Sequence, residues 1–346
     1  LAITSKANKM KEQGIDVIGF GAGEPDFNTP SFIIDSAKEA LDKGFTKYTA
    51  NSGTPALKKA ICDKFLKDNN LTYAPNQIVV SNGAKHSLYN AMLAIIEQGD
   101  EVIIPAPFWL TYPELVKMCD GTPVIADTKD DGFKLTPEKL QAAITDKTKA
   151  VIINSPSNPT GVVYTKQELW ALAKVLEQTD IYIISDEIYE NIIYNGAKHY
   201  SIAQYSEKIY KQTIVINGAS KTYSMTGWRI GYLAADAEIA KAIDNMQSHC
   251  TSNANSIAQY ATVAALSTQS TFLQEMVKTF DSRRKLIVDF VNSTQGLSCP
   301  NPQGAFYVMI NISSIFGKSI DGKVIDSSLK AAELMLEYAR IAVVPC

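Results

Sequence analysis

The chain has little of what marks the specialised protein classes. Its five cysteines, Cys62, Cys119, Cys250, Cys299 and Cys346, are scattered, odd in number and never spaced as a CxxC pair. Neither a disulfide framework nor a structural zinc site is expected from them. No apolar run approaches the roughly 20 residues that span a bilayer, and the first residues lack the charged-then-apolar order of a secretory leader. Lys and Arg number 33 against 36 Asp and Glu, a formal net charge of -3, so there is no basic surplus for nucleic acid or an anionic membrane. Internal repeats and low-complexity stretches are missing as well. These absences leave a protein of small soluble substrates in a reducing cytoplasm. The sequence opens on Leu1 and stops at "RIAVVPC", and both ends are expected to be incomplete.

What is present is length and periodicity. A chain of 346 residues is long enough for two domains, because single cores stop growing at roughly 250 to 300 residues. The middle alternates short β-branched runs with helical patterns, the mark of a mostly parallel sheet covered by helices. Strands are expected at 77–81, 101–105, 149–154, 181–185, 213–217 and 232–235, apolar throughout as if buried on both faces. Between them, Leu88, Met92, Ile95 and Ile96 mark a helix over 84–96, and Thr165 with Glu168 forms a capping-box pattern before a helix over 165–177. Beyond about residue 235 the texture changes to long helices at 256–267 and 271–292, then a short strand region at "GAFYVMINI", 304–312. The division that follows is a large domain over 29–264 and a smaller α+β domain built from 1–28 and 265–346.

In open α/β sheets ligands bind beyond the carboxyl ends of the strands, and there this sequence puts its polar residues. "SNGAK" (81–85) offers Gly83 for close backbone approach and the N–H groups of Ala84 and Lys85 at a helix start, a place for phosphate. The nearby "GFGAGEPD" is no dinucleotide fingerprint, because Glu24 stands where the third glycine belongs. Trp109 in "APFWLTYPE" can lie over a flat ring. Asn158 sits among two prolines and a glycine in "NSPSNPTG", held where it can donate to a phenolate or carboxylate oxygen. Asp186 follows an apolar run and so needs a cationic partner, with Tyr189 three positions on. Lys221 arrives beside the small residues Gly218, Ala219 and Ser220; a desolvated lysine loses its proton readily and can attack a carbonyl. Arg229 offers a planar fork for phosphate. Each residue has an ordinary explanation: a turn, a core tryptophan, a helix cap, a surface cation. Together they describe one ligand, pyridoxal 5'-phosphate, whose aldehyde, ring nitrogen and phosphate call for a lysine, a carboxylate and an anion site.

With those residues in place, the sequence resembles the class I aminotransferases of fold type I, in their aspartate aminotransferase-like branch. The resemblance runs the whole length, through "GAGEPDFNTP", "KYTANSGTPALKKAI", "PSNPTG", "SDEIYE", "SKTYSMTGWRIGY" and "PQGAFY". It implies Lys221 as the Schiff-base lysine that also moves the α-proton, Asp186 as partner of the ring nitrogen, Asn158 and Tyr189 at the 3'-oxygen, and Trp109 stacked on the ring. It places Gly83, Ala84, Lys85, Ser220 and Arg229 at the phosphate, joined by Tyr48 from the partner subunit of a homodimer. Gly23, Trp109 and Asn158 are implied for the substrate, and no metal is implied. Two departures stand out. Gly218 replaces a hydroxyl residue common three positions before the lysine, and the family's α-carboxylate arginine lies beyond the point where this sequence ends. The activity implied is ping-pong exchange of the amino group between an L-amino acid, aspartate first, and 2-oxoglutarate. Transaminases for aromatic substrates, alanine or prephenate, a cysteine-S-conjugate β-lyase, and a non-catalytic cofactor binder remain as alternatives.

Overall fold

In the computed structural model, which describes residues 2–21 and 23–346, the β-branched runs assemble into a seven-stranded sheet. Its strands are β1 (Ile78–Ser81), β2 (Glu101–Ala106), β3 (Thr122–Asp127), β4 (Thr148–Asn154), β5 (Tyr182–Asp186), β6 (Thr213–Gly218) and β7 (Gly231–Ala234). Their spatial order is β1-β7-β6-β5-β4-β2-β3. From β6 to β3 all neighbours are parallel, while β7 runs antiparallel to both β6 and β1. β1 therefore points the same way as β6, and the carboxyl ends of six strands share one edge.

The unbroken apolar runs are explained by two covered faces. Successive residues of a strand point to opposite sides, so Ile152, Ile184 and Ile216 pack with Leu88 and Met92 of the helix Ala84–Ile95 on one face. Val151, Ile153 and Ile183 pack with Leu169, Leu172 and Leu176 of the helix Lys166–Leu176 on the other. Each fully buried leucine contributes about 2 kcal/mol to holding its helix on the sheet. The capping box expected before Lys166–Leu176 is formed: the Glu168 N–H donates to Thr165 Oγ1 at 3.3 Å, and the Thr165 N–H donates to Glu168 Oε2 at 2.7 Å. Two long helices follow, Ser256–Ser267 and Phe272–Ser293.

Two expectations need correction. β3 carries no strand signal in the sequence, because it lies at the sheet edge with Ala126 as its single buried residue, and an edge strand tolerates Pro123. Conversely, 304–312 forms no strand. Its backbone donors go to two loops, Gly304 N–H to the Gly161 carbonyl at 2.9 Å and Ala305 N–H to Ile192 at 2.9 Å, and Ala305 has φ 56°, outside the extended region. Only isolated bridges, Ile193 to Gly304 and Ser298 to Asn311, remain of it.

The chain divides into two units, one of residues 26–284 with 301–308, the other of 1–25, 285–300 and 309–346. The expected boundary at 264/265 thus falls early: Met276 and Phe280 pack with Ile188, Tyr189 and Tyr194 inside the larger unit. The smaller unit is α+β. Ile18–Gly19 pairs in parallel with Ile341–Ala342, and a core of Ile3, Ala7, Val17, Ala332, Leu336 and Ala342 joins that pair to the helices Ala2–Glu12 and Ser328–Leu334.

Candidate active site

At the shared strand edge of the larger unit, β5 ends in Asp186, only 3% exposed. Burial pushes its carboxyl up to about 6, against the pull of the Tyr112 hydroxyl, the Ile188 N–H and the positive charge of Lys221. The Tyr112 hydroxyl donates to Oδ2 at 2.7 Å and the Ile188 N–H to Oδ1 at 3.2 Å. These donors favour the charged form that burial opposes, a balance suited to a carboxylate that pairs with a cationic nitrogen.

The neighbouring rung pairs Asn154 of β4 with Asp186. The Asn154 side-chain amide donates to the Asp186 carbonyl at 3.0 Å, and its oxygen takes the Asn158 N–H at 2.7 Å. Asn158 is thereby fixed to the strand that carries Asp186, and its side chain bonds to Tyr189. The Tyr189 hydroxyl lies 2.6 Å from that of Tyr307. Burial, with Tyr307 beside it, holds the Tyr189 phenol well above its ordinary range. Three residues past β6, Lys221 is half-buried with its Nζ 5.9 Å from the ring centroid of Tyr189 and 5.7 Å from that of Phe306.

A second cluster forms where β1 meets its helix. Gly83 caps Ala84–Ile95 with φ 90°, a conformation that favours glycine. A Cβ there would lie 2.2 Å from Arg229 Nη2. Arg229, itself at φ 56°, donates to the Thr226 carbonyl at 2.7 Å and to the Asn82 carbonyl at 3.3 Å. The guanidinium is thus set against the positive end of a helix, where Ala84 and Lys85 present N–H groups that have no carbonyl one turn ahead of them. Two positive elements in contact call for an anion. Trp109, half-buried, stands edge-on to Tyr112 at 5.5 Å, with the Lys85 ammonium 4.8 Å over its ring.

The structure therefore brings together Lys221, Asp186, Tyr189 and Asn158, and separately Gly83, Ala84 and Arg229, with Lys85 on Trp109. Ser220 is buried beside Lys221. Tyr48 is 90% exposed. Gly23, exposed, belongs to the smaller unit and follows Ala22, which lies outside the described residues. Three residues were missed from sequence: Tyr112, Tyr307 and Asn154. The signal for Tyr112 was its place three positions after Trp109; Tyr307 ends the motif "PQGAFY".

A family model described as "Aminotransferase class I and II" matches residues 15–346. The aspartate aminotransferase of Bacillus sp. (strain YM-2) is 52% identical over 346 residues, all of this chain and 87% of the relative. The aspartate/prephenate aminotransferase of Cereibacter sphaeroides is 49% identical over 99% of this chain and 87% of its own length. Among solved structures, the aspartate aminotransferase from Thermus thermophilus with maleate superposes with a TM-score of 0.93 at 39% identity, covering 99% of this chain and 87% of that one.

Proposed function

The chain belongs to the class I and II aminotransferases, and on that premise we propose that it exchanges the amino group between L-aspartate and 2-oxoglutarate in two half-reactions. Relatives named for aspartate support the donor, and the maleate in the Thermus thermophilus structure is a four-carbon dicarboxylate like the aspartate skeleton. The name of the Cereibacter sphaeroides relative makes prephenate the second acceptor to test.

The residues present fit the family's cofactor, pyridoxal 5'-phosphate. Arg229 against the helix start at Ala84, with room kept by Gly83, suits the phosphate; Lys85 and Ser220 complete that end. Asp186 suits the ring nitrogen, Asn158 and Tyr189 the phenolic oxygen, and the Trp109 ring face the heterocycle. When bound, the cofactor supplies an aldehyde that condenses with amines and a ring that takes up the electron pair released at the substrate α-carbon.

The remaining work falls to side chains. Asp186, ionised, keeps a proton on the ring nitrogen. Lys221 Nζ would accept the proton leaving the substrate α-carbon and deliver it to the carbon that was the cofactor's aldehyde. Asn158 and Tyr189 would hold the phenolic oxygen, and Trp109 would help orient the substrate. Five free cysteines fit a reducing cytoplasm, and a tyrosine as exposed as Tyr48 fits a homodimer in which it reaches the partner's phosphate.

The observation that carries the reading is Asp186, buried at a strand end and close enough to Lys221 to feel its charge. The test is the visible spectrum of protein loaded with pyridoxal phosphate. The band should move on adding L-aspartate and return with 2-oxoglutarate, and Lys221→Ala should show neither change. A band that ignores aspartate but answers phenylalanine rejects the donor, and a Lys221→Ala protein that cycles normally rejects the lysine.

A further inference from the structure

The last rung joining β5 to β6 pairs Asp186 with Ile216, and the Glu187 N–H closes the ladder on the Ile216 carbonyl at 2.9 Å. Beyond it the chains part, one turning through Glu187 to Tyr189, the other running from Gly218 to Lys221. The placement of Lys221 relative to Asp186 and Tyr189 therefore depends on what ties the two segments once the ladder has ended. Asn191 Nδ2 reaches Thr222 Oγ1 at 3.4 Å, and a shorter, buried tie is made by Glu190, 5% exposed, whose Oε1 accepts from Asn217 Nδ2 at 2.8 Å. Asn217, 1% exposed, takes the Gly218 N–H on its own Oδ1 at 2.8 Å.

The charge of Glu190 is met inside the protein. The Lys64 ammonium pairs with Oε1, Asn69 Nδ2 donates to Oε2 at 2.7 Å, and Lys64 also donates to Asn69 Oδ1 at 2.7 Å. Glu187 and His199 lie within 4.8 Å of Glu190 in ligand atoms. That group is no argument for a metal, since the Lys64 ammonium already serves as its cation, and Ser185 and Ser201 occupy Glu187 Oε1. A buried lysine–glutamate pair is seldom a more stable filling than apolar residues of the same shape, so its presence points to geometry.

Building on the aminotransferase reading, we propose that Glu190 is a positioning residue for transamination: through its hydrogen bond with Asn217 it sets the Gly218–Lys221 segment against the turn that carries Asp186 and Tyr189. Asn217→Ala cuts the tie and leaves Glu190 paired, so no buried charge is stranded; Asn217→Ser makes the same cut with a smaller cavity. In holoenzyme either variant should lower kcat for aspartate by about 10- to 100-fold while KM changes by less than about threefold. The pH midpoint of the bound cofactor's visible band should move by about one unit. In cofactor-free protein, amide exchange over 218–221 should quicken about tenfold.

Lys64→Met combined with Glu190→Gln removes both charges but keeps an oxygen towards Asn217, and should keep kcat within about threefold of wild type. A folded Asn217 variant with wild-type kcat, band midpoint and exchange overturns the proposal. So does a double variant that loses kcat as fully as Asn217→Ala, because the effect would then belong to charge. If the wild-type protein transaminates no donor, the functional reading falls by itself, and exchange in the cofactor-free protein still decides whether the tie exists.

Discussion

A carboxyl group held at about 6 by burial, against an ordinary 3.8, makes the cofactor-free protein sensitive to pH in one direction. The folded pKa is the raised one, so the favourable contribution of neutral Asp186 is complete below about pH 4 and is lost as the pH rises through about 6, a loss of about 3 kcal/mol by pH 7. Asp186→Asn has no such proton to lose. Urea titrations of the two cofactor-free proteins should therefore diverge between pH 4 and 7, with the wild type losing ground; parallel curves would contradict a carboxyl group raised by burial. Tyr112→Phe removes a donor that favours the charged form, so it should raise Asp186 further, by about one to two units. The acid limb of the holoenzyme's kcat/KM profile should then shift upwards with it. The sequence pointed to Asp186 because an acidic residue directly after an apolar run is anomalous within one segment. Tyr112 broke no such local pattern, and its role exists only because the helix Thr111–Met118 packs it under a strand 74 residues away.

For whole elements, the legible ones were those whose pattern answers to burial on two faces. β2, β4, β5 and β6 and the helices that cover them were readable on that ground, while β3 was not, because an edge strand with one buried residue has little to distinguish it from a loop. The strand read into 304–312 failed for the opposite reason. Its run is apolar, but Ala305 is its only buried apolar side chain, Ile310 is exposed and its backbone donors go to loops, so composition suggested a ladder that its hydrogen bonds do not form. Cap chemistry was legible because it is local, and it can be tested without touching the site. Thr165→Ala should cost about 1 kcal/mol of stability and leave kcat and KM unchanged; a loss of activity would mean that the helix Lys166–Leu176 matters beyond the fold. Gly83→Ala should cost stability as well, because φ 90° strains any side chain, but it should also reach the site. A Cβ 2.2 Å from Arg229 Nη2, on a residue at φ 90°, displaces the guanidinium from the helix start, so cofactor affinity should fall at least about tenfold, read by fluorescence titration, with a smaller effect on kcat at saturation. An unchanged affinity would remove Arg229 from the phosphate assignment.

At the scale of the whole molecule the open question is what Tyr48 does. A tyrosine 90% exposed on the larger unit has no packing reason to be there, and the proposed homodimer gives it one: a hydroxyl delivered to the phosphate of the other subunit. The proposal makes a prediction that no single variant can imitate. Tyr48→Phe should weaken cofactor binding by about tenfold, the worth of one hydrogen bond to a charged group, and Lys221→Ala should be inactive. In a mixed dimer of the two, the site that keeps Lys221 lies on the Tyr48→Phe subunit and draws its Tyr48 from the Lys221→Ala subunit, so it is complete. Random reassortment makes about half of the dimers hybrid, with one complete site each, so about a quarter of wild-type sites should reappear. The measurement is aspartate turnover after mixing, at a cofactor concentration that leaves Tyr48→Phe alone mostly unloaded. Recovery shows that sites are shared across the interface. If Tyr48 serves the site of its own subunit, the hybrid holds one site without the lysine and one without the hydroxyl, and mixing restores nothing.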